Sequence, residues 1–298
     1  MTRAALRLDH AGLALKDLER GRAAYAKLGF TLSSRSVHAG ALSPGGPVVP
    51  WGSGNHCAMF EQGYFELIGL IDEQLPSSVK RLVAQYEGLH IVAMDTESAD
   101  AAYAALTQAG VVAAAPAALE RDAAFGPHDE SVRRARFRNI YLDGEAYPEA
   151  RFIVIEHGTR DVLWQDHLLT HANGVTGLAA LYFCAPDPAA SAARFTRLLG
   201  APVHDAERGY RYDLQRGTFW LMSEAQLRQA VPVLAGQPAQ RVAAACFTVR
   251  SLDHLRAYLD GQGVPHTPGV DADGRPAVWV GPEFACHAAL QFVQAPAN

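Results

Sequence analysis

The chain has 298 residues, of which 49% are hydrophobic, and a formal net charge of -5. That length suits about two domains. The acidic balance, with no dense basic run, argues against a nucleic-acid-binding protein. No apolar run reaches the roughly 18 residues of a membrane span. The opening MTRAALRLDH enters strand-like alternation at once, without the apolar core of a signal peptide. Cys57, Cys184, Cys246 and Cys286 are scattered and form no CxxC pair, so neither a zinc ribbon nor a disulfide framework is expected. Reduced thiols in a cytoplasmic protein are the expectation.

In chain order, one unit recurs four times. An apolar run of strand length comes first: LRLDHAGLAL (6–15), LHIVAMD (89–95), LAALYFCA (178–185) and VAAACFTV (242–249). An amphipathic helix follows, from Asp17, Glu97, Asp187 and Ser251, each ending near a glycine at 29, 110, 200 and 263. Asp187-Pro188 and Ser251 are good helix starts. Further strand-like runs then close each unit: NHCAMFE and YFELIGL, ARFRNIYL and RFIVIE, RYDLQ and TFWLMS, AVWVG and AALQFVQ. The intervals between the glycines, 81, 90 and 63, are uneven and suit a domain repeat with loop insertions. Stretches 36–54 and 117–132 are expected to be long loops, and 158–174 and 224–240 to be connectors.

The pattern resembles the vicinal oxygen chelate superfamily. Within it, LDHAGLALKDLERGRAAYAKLGF, GSGNHCAMFEQGYFELIGL and HANGVTGLAALYFCAPDPAASAARFTRLLG are similar to the glyoxalase-like domain proteins. The resemblance implies an α+β fold of four βαβββ modules forming two paired-module curved sheets. The boundaries expected are 1–158 for the first pair, with the metal site, and 159–298 for a second, degenerate pair.

Two histidines and two glutamates interrupt apolar strands in the first half. Counting back from the repeat glycines puts His10 and His90 at matching places, 19 and 20 residues before Gly29 and Gly110. Glu66 and Glu156 lie in the last strands. A carboxylate in a half-buried strand is costly without compensation. If the modules pair about a twofold axis, His10, Glu66, His90 and Glu156 converge as ligands for Fe(II), Mn(II), Zn(II) or Ni(II). The superfamily resemblance implies the same four positions, and its ring-cleaving members match His10, His90 and Glu156 in order. Each residue alone has a plainer reading, as a hydrogen-bonded core histidine or a solvated strand-end carboxylate. Their coincidence in one half favours the metal.

His56, with Glu66, is the candidate for proton transfer. The alternative for His56 is a strand-end residue bonded to a loop carbonyl. Trp51, Phe60, Tyr64 and Tyr141 are the candidate substrate-binding residues, with Phe137 beside them. His157, next to Glu156, is expected on the opposite face. The function expected is that of a glyoxalase-like metal-dependent enzyme, a lyase, isomerase or extradiol-type dioxygenase, acting on a small oxygenated substrate, aromatic ones included. The alternative is a metal-free sequestering protein of the bleomycin-resistance type. The expected partner is a small molecule, without nucleic acid or membrane, and a homodimer stays open.

Overall fold

A computed structural model describes residues 6–41, 46–236 and 240–296. The first module runs β1 (Arg7–Leu15), α1 (Leu18–Lys27), β2 (Ser36–Ala41), β3 (Val48–Met59) and β4 (Tyr64–Leu70). A five-residue helix, α2 (Val79–Val83), leads to the second: β5 (Gly88–Asp95), α3 (Ala99–Gln108), β6 (Ala117–Phe125), β7 (Ser131–Tyr141) and β8 (Arg151–His157). The connector holds α4 (Arg160–Leu163) and a 3-10 turn at Asp166–Leu168. The third module is β9 (Val175–Cys184), α5 (Pro188–Leu199), β10 (Val203–Asp205), β11 (Gly209–Asp213) and β12 (Thr218–Met222). After α6 (Glu224–Ala230) and a turn at Pro232–Leu234, the fourth is β13 (Val242–Val249), α7 (Leu252–Gly261), β14 (Thr267–Val270), β15 (Pro276–Val280) and β16 (Ala289–Gln294).

The strands form two eight-stranded sheets, ordered β2-β3-β4-β1-β5-β8-β7-β6 and β10-β11-β12-β9-β13-β16-β15-β14. The expected α+β fold of paired modules is therefore what the chain adopts. The expected loops at 36–54 and 117–132 are instead mostly strand. They form the outer hairpins β2–β3 and β6–β7, and residues 42–45 lie outside the described residues. Strands β6 and β7 and the outer end of β3 are largely exposed, so they carry little of the apolar alternation by which a strand is recognised. Helix α2 was not anticipated either. Part of the second connector, residues 237–239, also lies outside the described residues.

The four long helices start alike. Asp17, Ser98, Asp187 and Ser251 each accept a hydrogen bond from the backbone N–H three residues on. Gly29 and Gly110, with φ of 90° and 74°, follow α1 and α3 in a conformation that favours glycine. One apolar cluster spans the helix-bearing faces of both sheets, taking in Leu13, Phe65, Phe152, Phe183, Phe247 and Phe292. Burying each such ring stabilises the fold by about 2 kcal/mol. The opposite faces differ. In the second sheet Tyr182, Trp220, Cys246 and Trp279 are covered by Leu227, Val231 and Leu234 from α6 and its following turn. In the first, Val79 and Val83 of α2 cover one end, and Val162, Leu163 and Leu168 of the connector the other. Polar side chains lie between.

Candidate functional site

Register decides which residues reach this cavity face of the first sheet. In the β1–β5 pair, Leu8 faces Met94 and His10 faces Ala93, so Asp9 is an extra, bulged residue. Gly12 faces Ile91 and Leu13 faces Leu89, so His90 is bulged too. The β9–β13 pair repeats this at Ala179 and Ala243. Each bulge stands eight residues before the capping residue of the next helix, Asp17, Ser98, Asp187 or Ser251. His90 therefore occupies the place of Asp9. The counterparts of His10 are Ile91, Ala180 and Ala244. A bulge turns successive side chains toward one face, which sets Asp9 beside His10.

The last strands follow the same frame. Three residues after each bulge, Gly12 faces Glu66, Ala93 faces Ile153, Tyr182 faces Trp220 and Cys246 faces Gln291. Ile153, not Glu156, holds the place matching Glu66. Strand alternation turns Glu156 to the helix side with Phe152 and Val154. There its Oε2 accepts from the Ala99 N–H at 2.8 Å, in the first turn of α3, and lies 3.5 Å from Arg138 Nη1. His157 takes the cavity side instead, contrary to expectation.

The four expected ligands thus do not converge. His90 stacks on Tyr86, with centroids 3.9 Å apart, and its Nε2 is 2.8 Å from the Tyr86 carbonyl oxygen. His56 lies in phase with Ala58 of the helix-side core and bonds through Nδ1 to the Ser33 carbonyl at 2.8 Å. Its position is that of the strand residue bonded to a loop carbonyl. Phe60 is fully buried between the halves, packed on His171 and Phe247, so it lines no cavity. Tyr64 does face the cavity. Trp51 lies in phase with Ser53 and Asn55 and donates from Nε1 to the Gly40 carbonyl at 3.2 Å. Tyr141 packs with Ile153 and Ile155 near α2 and receives a hydrogen bond from Asn139 at 3.2 Å.

What does assemble is a different polar group. Asp9 is wholly buried, and its Oδ2 accepts from His10 Nδ1 at 2.7 Å and from His157 Nε2 at 3.1 Å. Burial works to raise the Asp9 pKa, but the adjacent His157 and the bonds from both imidazoles hold it well below the ordinary carboxylate range. His10 stacks face to face on Tyr64, with centroids 4.1 Å apart, and Trp164 packs edge-on against His157 at 5.0 Å. Glu66 is buried, its Oε1 accepting from Asn55 Nδ2 at 2.5 Å. Its other oxygen lies over Gly12, where a Cβ would stand 3.3 Å from it. Burial, with Asp9 and Glu66 nearby, raises the Tyr64 pKa well above its usual value, so this phenol stays a proton donor. Burial also raises the Cys57 thiol, which is therefore no ready nucleophile.

Tyr64, Cys57 and Met59 form the floor of a cavity of about 200 Å³. Arg121 enters from β6, held by Ser36 at 2.5 Å, and Leu163 and Leu168 of the connector form a wall. The same connector then fastens the halves together. His171 Nδ1 accepts from the Thr31 N–H at 3.0 Å, and its Nε2 donates to the Met59 carbonyl at 2.9 Å. Asn173 donates to the Leu28 carbonyl at 2.9 Å.

Among the described residues, no three His, Cys, Asp or Glu side chains form a set that could hold a metal ion. The donors themselves explain this: Ile91 and Ile153 hold the places in the second module that match His10 and Glu66 in the first, and Asp9 and Asn55 already engage the two polar residues. The residues present do not fit the expected four-ligand cation centre. Asp9, Asn55, Arg121 and His157 were missed from the sequence. A helix start, rather than a helix-ending glycine, as the counting origin would have matched His90 to Asp9 and so exposed Asp9. Nothing local marks Arg121, which lies in an edge strand.

Among the described residues, no helix is long and apolar enough to cross a membrane. No curated protein matches the chain. Several solved structures share its fold. A hypothetical protein from Staphylococcus aureus aligns over 97% of this chain and 100% of its own, with 11% identity and a TM-score of 0.60. A xylose isomerase-like TIM barrel/4-hydroxyphenylpyruvate dioxygenase fusion protein aligns over all of this chain and 50% of its own, at 15% identity and a TM-score of 0.57. A mutant of 4-hydroxymandelate synthase from Streptomyces coelicolor aligns over 99% of this chain and 95% of its own, at 10% identity and a TM-score of 0.57. Residues 8–199 match the family described as "Glyoxalase-like domain". That match takes in the Asp9–His10–His157 cluster, the Glu66–Asn55 pair and the cavity, and by it the chain belongs to the glyoxalase-like domain family.

Proposed function

We propose that the chain is a small-molecule enzyme, an isomerase or lyase working by proton transfer on a small oxygenated substrate, with its chemistry confined to the first module pair. The observation that carries this is the contrast between two equivalent sheet faces. Where the first has His10 and Glu66, the second has Ala180, Ala244, Trp220 and Gln291 under an apolar cover. The second sheet thus needs no charged side chain at these strand positions, so the costly charges that the first carries there are retained for a task. Glu66 is the candidate base, oriented by Asn55. Tyr64 is the candidate donor to a developing oxyanion, and Arg121 the candidate partner for a substrate oxygen or carboxylate. Asp9 positions His10 beneath Tyr64. The expected cation is not carried into this reading, because Ile91 and Ile153 supply no donors. The division near residue 158 belongs to the same proposal, with the second pair as scaffold. Four free cysteines, three of them buried, support a reducing, cytoplasmic setting.

A thermal-shift screen of small hydroxy- and oxo-acids and catechols, followed by NMR turnover assays of the hits, tests this. The expected result is turnover of a stabilising compound by the wild type, and binding without turnover by Glu66→Gln. Compounds that bind tightly to both and are never converted would instead identify a sequestering protein.

A further inference from the structure

A second recess, of about 520 Å³, lies at the α2 end of the first sheet, and Arg81, Arg151 and Arg241 line it. Its other walls include Tyr86, Tyr141 and His90. The recess is within the size range of small-molecule sites. Three cations thus gather at one recess of a chain whose net charge is -5. Most arginines here pair with a carboxylate, as Arg7 does with Asp95 and Arg275 with Asp271. Among the described residues, Arg81, Arg151 and Arg241 have no carboxylate within ion-pair distance. The single acid in the lining, Glu149, is buried and already neutralised by Arg194.

The three cations come from separate parts of the chain. Arg81 stands on α2 and Arg151 opens β8. Arg241 comes from the second half, anchored by its Nη1 to the Pro148 carbonyl at 2.6 Å. The Arg151 guanidinium lies over the Tyr141 ring, 5.5 Å from its centroid, and Tyr86 stacks on His90. Guanidinium groups offer paired N–H donors that match phosphate and carboxylate oxygens, and flat aromatic walls suit a planar substituent.

We propose that this recess binds a small organic dianion, a phosphate monoester or dicarboxylate carrying a planar group. The site is independent of the proton-transfer reading, because it uses none of Glu66, Tyr64 and Arg121. Isothermal titration of the full chain with phenyl phosphate, phthalate and benzoate tests it. The expected result is saturable binding of the two dianions, tighter than that of benzoate, weakened about tenfold by Arg151→Gln or Arg241→Gln. Arg81→Gln, on an exposed helix position where folding is not at stake, should weaken binding in the same direction. Arg22→Gln, an exposed arginine of α1 away from the recess, should leave binding unchanged. Absence of saturable binding, equal loss in Arg22→Gln, or full binding in Arg81→Gln and Arg151→Gln alike overturns the proposal. Glu66→Gln should bind phenyl phosphate as the wild type does, which separates this site from the cavity.

Discussion

Asp9 carries the largest electrostatic commitment in the first sheet: one carboxylate, wholly buried, holding two imidazoles. Its folded-state pKa lies below the unfolded value of about 3.9, so its stabilisation is present above that pH and is lost as pH falls below it. Asp9→Asn is expected to cost about 3 kcal/mol at neutral pH and to flatten the stability curve below about pH 4, as measured by urea melts. His171 acts in a higher window. Burial lowers its pKa, and its Nδ1 is committed as an acceptor from Thr31. The unfolded chain therefore takes up the extra proton first, and stability should decline as pH drops through about 6.5. In His171→Gln that decline should be shallower from a lower starting stability, read by the same melts. Glycine matters at residue 12, where an added Cβ would stand 2.7 Å from the Ile91 Cβ. Gly12→Ala should cost about 1–3 kcal/mol and disturb Glu66, which a loss of cavity ligands in the thermal-shift screen would register.

Among elements, the bulged central strands explain what the sequence disclosed and what it hid. The strand–helix–strand repeats were legible because apolar runs, capping residues and closing glycines recur four times. His10 and Glu66 were legible as special because a polar group in an apolar strand needs a reason, and Tyr64, in phase with Glu66, lines the cavity. Pairing His90 with His10 failed by one position. The bulge seats His90 in the place of Asp9, against Tyr86, and gives the place of His10 to Ile91. Glu156 stands three positions beyond Ile153, and with a side-chain period of two that odd offset exchanges faces. It caps α3 instead, and the two glutamates should separate by experiment. Glu156→Gln is expected to cost about 1 kcal/mol of stability through the α3 terminus while leaving cavity ligands bound. Glu66→Gln should cost little stability relative to its effect on turnover.

At the scale of the whole molecule, one apolar core serves both module pairs, with Phe152 of the first half stacked 5.9 Å from Phe183 of the second. A fragment ending at residue 158 would expose that face to water. Expressed alone, it is expected to bind a hydrophobic dye and unfold without a cooperative transition. Supplying residues 159–298 in trans should restore a sharp melt. The second half, plugged on its other face, can then absorb sequence change as a stabilising frame while the first half carries the chemistry.

The connector adds a mechanical consequence. The strap that walls the chamber at Leu163 and Leu168 is the strap that His171 and Asn173 nail to the seam. A guest pressing on that wall pulls on the joint between the lobes. Occupancy should therefore be audible at a distance, as slowed amide exchange around Leu28 and Val175, which Asn173 holds and which do not line the chamber.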